Sequence, residues 1–81
     1  MLEKVVSVDL IEVVESGVIQ VRTKTAIMED GNQISGLFHR HVVVPGDDYS
    51  KQDARVKSIC AATHTAAVVA AYKAAQAAAT P

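Results

Sequence analysis

Tryptophan is absent from this 81-residue chain, and Phe38, Tyr49 and Tyr72 are its only aromatic residues. Aromatic side chains bury the largest areas per residue, so the core must be built from Val, Ile, Leu and Ala. At this length roughly 60–65% of the unfolded surface can be buried, and small domains usually make up the shortfall with disulfides, metal or partner subunits. A disulfide within one chain is excluded, because Cys60 is the single cysteine. Set between Ile59 and Ala61, it reads as a buried, inert thiol on a helix, and one lone cysteine fits a reducing compartment. Long apolar runs are missing as well. No stretch approaches the ~18–20 residues of a membrane span, and Met1-Leu2-Glu3-Lys4 leads into a strand-like segment without the apolar stretch of a signal peptide. No charge of one sign dominates: eight Lys and Arg stand against nine Asp and Glu, for a net charge of −1. With no basic stripe and no aromatic stacking platform, neither nucleic acid nor membrane is an expected partner. The glycines at 17, 31, 36 and 46 are too dispersed to form a phosphate loop.

What is present is a change of period. Val5 to Val14 is rich in β-branched residues and reads as a first strand, with Val6, Val8, Leu10 and Val14 on one face and Val5, Ile11 and Val13 on the other. A strand apolar on both faces is expected to be buried on both. Glu15-Ser16-Gly17 is a tight turn. Val18 to Met28 alternates cleanly: Ile19, Val21, Thr23, Thr25 and Ile27 share one face, Gln20, Arg22 and Lys24 the other, the pattern of a half-buried antiparallel strand. Glu29-Asp30-Gly31-Asn32 carries the Asp-Gly hairpin signal. Ile34 to Val44 is the third strand, with Gly36 a bulge or close-approach point, and Pro45-Gly46-Asp47-Asp48 ends it.

From there the period becomes about 3.6. Ser50 is the expected N-cap, with Asp53 in the first turn, and Val56, Ile59, Cys60 and Thr63 form an apolar stripe. Thr65 caps a second helix over about Ala66 to Ala79, favoured by alanine's high propensity and carrying Val68, Val69, Tyr72 and Ala75 along one face. Thr80-Pro81 is a frayed end. The chain is therefore one α+β domain over residues 1–81, a three-stranded antiparallel β-meander followed by one or two C-terminal helices. Its expected core packs Ile19, Val21 and Ile27 against Val56, Ile59, Val69 and Tyr72.

Chemistry has few places to reside. His39 and His41, at i and i+2 of a strand, project from one face and could ligate a transition metal. Two ligands make no closed site, so metal binding requires a symmetric oligomer to supply the rest; otherwise both are hydrogen-bonding groups on the sheet and no cofactor is expected. Arg40, between Phe38 and Val42 on that strand, is a candidate to pair with Asp47 or Asp48, or to serve at an interface. Asp47 and Asp48 beside a turn read as solvated loop carboxylates. No Ser/His/Asp or Cys/His arrangement follows from the spacing, and so small a chain offers little room for a concave pocket with convergent polar groups; no enzyme activity is expected. The candidate interface residues are Val5, Ile11, Val13, Phe38 and Arg40, and the expected partners are other protein subunits, in a homo-oligomer or a larger assembly.

The stretch His39-Arg40-His41-Val42-Val43-Val44-Pro45-Gly46-Asp47-Asp48, with the later Gln52-Asp53-Ala54-Arg55-Val56, resembles a group of small proteins of tailed bacteriophages and prophages. Segments like Val8-Asp9-Leu10-Ile11-Glu12-Val13 and Ile19-Gln20-Val21-Arg22 extend the resemblance over most of the chain. The tail departs from the pattern, with His64 and Ala66 where an aromatic and a proline are expected. The resemblance implies a virion structural component (tail- or fibre-associated, or a head decoration) assembled in the host cytoplasm with other phage structural proteins. The competing expectation is a small accessory binding protein made in the infected host and absent from the particle.

Overall fold

The computed structural model describes residues 1–79, so the frayed end expected at Thr80-Pro81 lies outside the described residues. Three strands, β1 (Leu2–Val13), β2 (Ile19–Glu29) and β3 (Asn32–Val43), precede two helices, α1 (Ala54–Thr63) and α2 (Ala66–Ala79). The strands form one antiparallel sheet in the order β1-β2-β3. This is the α+β meander followed by helices that the change of period predicts.

Local chemistry explains each connection. Gly17 (φ 93°) closes the β1–β2 hairpin after a turn in which its N–H donates to the Val14 carbonyl at 2.9 Å, a three-residue loop with glycine in the left-handed region. Asp30 (φ 49°) and Gly31 (φ 84°) both have positive φ, the two-residue hairpin geometry for which Asp-Gly is preferred. After β3, Pro45 and Gly46 (φ 100°) occupy the centre of a turn closed by the Asp47 N–H on the Val44 carbonyl at 3.0 Å. Proline followed by a positive-φ glycine is the type II pattern. Asp47 Oδ2 also accepts from the Val44 N–H, and Asp48 Oδ1 from the Ser50 N–H.

The extra residue of β3 is Ile34, between Ser35 opposite Ile27 and Gln33 opposite Met28, and not Gly36, which pairs regularly with Ala26. Three further details differ from the sequence reading. First, Asp9 is a bulge: Val8 pairs with Thr23 and Leu10 with Arg22, leaving Asp9 as the extra residue. The bulge reverses the alternation. Val6 and Val8 therefore share their face with Ile11 and Val13, while Val5, Ser7 and Leu10 lie on the other. The apparently two-faced strand is in part a one-faced strand whose phase slips once. Nor is it buried on both faces: Val5, Val6 and Val13 are exposed. Second, α1 starts later than expected. Its N-cap is Asp53, whose side chain accepts from the Arg55 N–H at 2.9 Å, and Ser50 lies in the preceding loop. Third, the core is smaller and displaced toward one end.

That core is Ile19, Val21 and Val43 of the sheet against Val56 and Cys60 of α1, with Val8, Ile11, Tyr49 and Ile59 packed on it. Ile27 is not part of it; it pairs with Lys4 and Ser35 near the far end of the strands. Val69 and Tyr72 are half-buried but pack elsewhere, because α2 lies over the two turns at the sheet's end rather than on its face. A Cβ added to Gly17 would stand 2.7 Å from Val68 Cγ1 and 3.1 Å from Pro45 Cγ, and one on Gly46 would lie 3.6 Å from Val69 Cγ1. His64 and Thr65 join the helices. The His64 N–H caps α1 on the Cys60 carbonyl at 2.7 Å, and Thr65 Oγ1 accepts from the Val68 N–H at 3.3 Å as the cap of α2.

The molecule is elongated. It measures 53 × 27 × 18 Å with a radius of gyration of 16.3 Å, against ~12 Å for a compact domain of this length. The reason is geometric. Strands of 12, 11 and 12 residues rise about 3.3 Å per residue, and a 10-residue α1 at 1.5 Å per residue spans less than half that length. One half of the sheet is thus two-layered, and the other is a bare single layer.

Candidate interaction surface

The residues that carry polar chemistry fall into three places. On the face of β3 that α1 covers, His41 is half-buried and its Nε2–H donates to Gln52 Oε1 at 2.8 Å, tying β3 to the loop before α1. His39 shares that face one step further along the strand and is exposed. Its cross-strand neighbour is Thr23, beyond which lies Val8, so the strand places no third ligand beside the two imidazoles. Among the described residues no group of three or more His, Cys, Asp or Glu is close enough to hold a metal ion. The third histidine, His64, which spacing did not single out, has the more constrained setting. Its Nε2–H donates to the Gly17 carbonyl at 2.6 Å, its ring meets Tyr49 edge-on with centroids 6.3 Å apart, and its Nδ1 is buried without a partner. It locks the helix–helix joint to the first hairpin turn. A signal was available: it stands four residues after Cys60, on the buried side of α1.

The opposite face is charged. Arg22 makes a two-pronged ion pair with the bulged Asp9, Nε to Oδ1 at 3.0 Å and Nη2 to Oδ2 at 2.8 Å, and its guanidinium sits 4.5 Å over the Phe38 ring. The Arg22 hydrogen bonds hold the Asp9 carboxyl below the usual carboxylate range and push Arg22 up. Arg40 pairs across the strands with Arg22, on the face away from α1. Asp47 and Asp48 are bound instead by the backbone N–H groups of Val44 and Ser50, and the Ser50 N–H lowers the Asp48 pKa. Cys60 is fully buried, and desolvation pushes its thiol up, away from the reactive thiolate.

The remaining feature is apolar. Leu2 (63% exposed), Val6 (58%) and Leu37 (73%) lie on the bare half of the α1-side face, while Val5 and Phe38 (58%) lie on the reverse. The structure therefore divides the interface candidates between two surfaces. Ile11 and Val13 share the α1 side, where Ile11 is half-buried; Val5, Phe38 and Arg40 occupy the other. Both outer strands also present an open edge, because β2 alone has a neighbour on each side. On β1 that edge is interrupted at the bulge, where Arg55 Nη2 donates to the Val8 carbonyl. Clefts flank both helices. One, between β1 and α1, is lined by Ile11, Ala54, Arg55, Ser58 and Ile59; another lies under α2 beside Glu15 and Ser16.

Fold and surface together define a class: a small α+β meander whose helices cover one end of a long sheet. Comparison with models of known families, with curated proteins and with solved structures finds no match to this chain. Among the described residues no helix is long and apolar enough to cross a membrane.

Proposed function

We propose that the chain is a non-enzymatic structural or assembly protein, a component of a tailed-phage virion acting through protein–protein contacts, with other phage structural subunits or its own copies as partners. The observation that carries this reading is the bare half-sheet. A single-layer, three-stranded sheet cannot bury an apolar side in water, yet this one presents Leu2, Val6 and Leu37 on one side and Val5 and Phe38 on the other. Exposed apolar patches of this kind mark contact surfaces, and the open β1 and β3 edges add unpaired backbone groups of the sort that bind a further strand. The phage direction rests on the resemblance of the His39–Asp48 and Gln52–Val56 stretches.

Mass spectrometry of purified particles from a host that encodes this chain tests the reading. A virion component appears at a fixed copy number relative to the major head and tail proteins. Its absence from washed particles, with the protein present in the lysate, rules the virion role out.

A further inference from the structure

The bare half-sheet has one occupant that its own geometry favours. We propose that a second copy of this chain covers the α1-side face, the two sheets stacking face to face about a two-fold axis through their bare halves. This rests on the reading of that surface as an assembly surface, and it adds the partner, the face and the symmetry.

Area comes first. The chain exposes 5615 Å², roughly 900 Å² more than the ~4,700 Å² expected of a compact monomer of its mass. One partner contributes ~800 Å² to a standard-size interface. The excess is thus of the size a dimer removes.

Charge selects the face. Beyond α1, the α1-side face carries Leu2, Lys4 and Val6 of β1, Thr25, Ile27 and Glu29 of β2, and Ser35 and Leu37 of β3, as the strand register places them. Its two charges are of opposite sign and sit near the far end, around a centre of Val6, Thr25 and Leu37. The reverse face, uncovered along its whole length, exposes Val5, Phe38 and Val42 but sets them among Glu3, Glu12, Arg22, Lys24 and Arg40, with the bulged Asp9 bound to Arg22. Stacking two copies through that face would desolvate clustered charges, which is costly; stacking them through the α1 side buries aliphatic groups and threonine methyls, with Lys4 and Glu29 as the charges it covers.

Shape selects the partner. Along the α1-side face the molecule is a step: a helix layer over one half, nothing over the other. A helix layer and a stacked sheet both sit about 10 Å above the sheet they cover. A two-fold copy therefore lays its bare half on the bare half of the first, and each α1 abuts the end of the other's sheet. The step fills itself, as an isologous interface requires.

The test is sedimentation equilibrium of the full chain with substitutions on the two faces of one strand. Wild type should sediment at twice its 8.6 kDa chain mass. Leu37→Asp, at a side chain 73% exposed in the protomer and so free of the fold, should sediment as monomer with an unchanged circular dichroism spectrum. Phe38→Asp, on the reverse face, should remain dimeric. Independently, Thr25→Cys should be joined to its copy by a short bis-maleimide, while Lys24→Cys should not; the buried Cys60 reacts in neither. A monomeric wild type from micromolar concentration upward overturns the proposal. So does a dimer dissolved by Phe38→Asp and not by Leu37→Asp, or one cross-linked through residue 24 rather than 25. The outcomes also separate from the virion reading. A monomer that is still found in particles sinks the dimer alone, and a dimer absent from particles sinks the virion role alone.

Discussion

Gly17 shows how much one hydrogen atom in place of a side chain can decide. It closes a hairpin at positive φ and lets Val68 and Pro45 approach within van der Waals reach. Gly31 has a similar φ but open space around it, so the pair separates two costs. Gly31→Ala should destabilise by about 1 kcal/mol, the backbone term alone. Gly17→Ala should cost about 2–4 kcal/mol, because the methyl group also collides with Val68. The double variant Gly17→Ala/Val68→Ala should recover part of that difference in urea melts, and equal costs at the two glycines would show that α2 does not press on the turn. Asp9 supplies a second residue-scale prediction. Its native pKa is depressed by Arg22, so the unfolded chain holds its proton more tightly. The ion pair therefore stabilises the fold above the ordinary carboxylate pKa of ~3.9 and loses that effect as pH falls through the lower native value. Thermal midpoints of wild type should drop between about pH 5 and pH 3 more steeply than those of Asp9→Asn.

At the scale of elements, periodicity places a residue on a face but does not say how far along the strand the covering layer reaches. Ile19 and Ile27 occupy the same face of β2 with identical chemistry. Ile19 is fully buried under α1 and Ile27 is half-buried beyond it. Ile19→Ala should cost ~2–5 kcal/mol, as a core truncation does, and Ile27→Ala clearly less in the monomer. Equilibrium denaturation on a dimer-blocked background such as Leu37→Asp measures both, and equal losses would mean that the covered half extends to Ile27. The element boundaries follow the same logic. Asp-Gly, Pro-Gly and Glu-Ser-Gly are legible as turns because only certain residues tolerate positive φ. Ser50 and Asp53 both offer the side-chain oxygen of an N-cap, and only the loop's own Asp48–Ser50 and Tyr49–Gln52 hydrogen bonds show that the chain is still turning at Ser50.

At the scale of the whole molecule, the mismatch between long strands and short helices dominates. It leaves the extended shape, the two bare half-faces and the open edges on which the assembly role and the two-fold partner are proposed. Local pattern specifies the parts: three strands, because β-branched residues alternate between glycine turns, then two helices, because alanine and a 3.6-residue stripe replace that alternation. It also marks Cys60 as a buried thiol and the aromatic-poor core as small. Where the parts meet follows from long-range packing alone. The Asp9 bulge shifts β1 by one residue, since pairing with β2 absorbs the extra residue where Arg22 can hold its carboxylate. His64, to which no spacing assigns a role, becomes the pin of the helix joint because its imidazole reaches the Gly17 carbonyl 47 residues away. The interface candidates part onto two faces for the same physical reason: face and depth depend on contacts between residues distant in the chain, and local spacing carries no record of them.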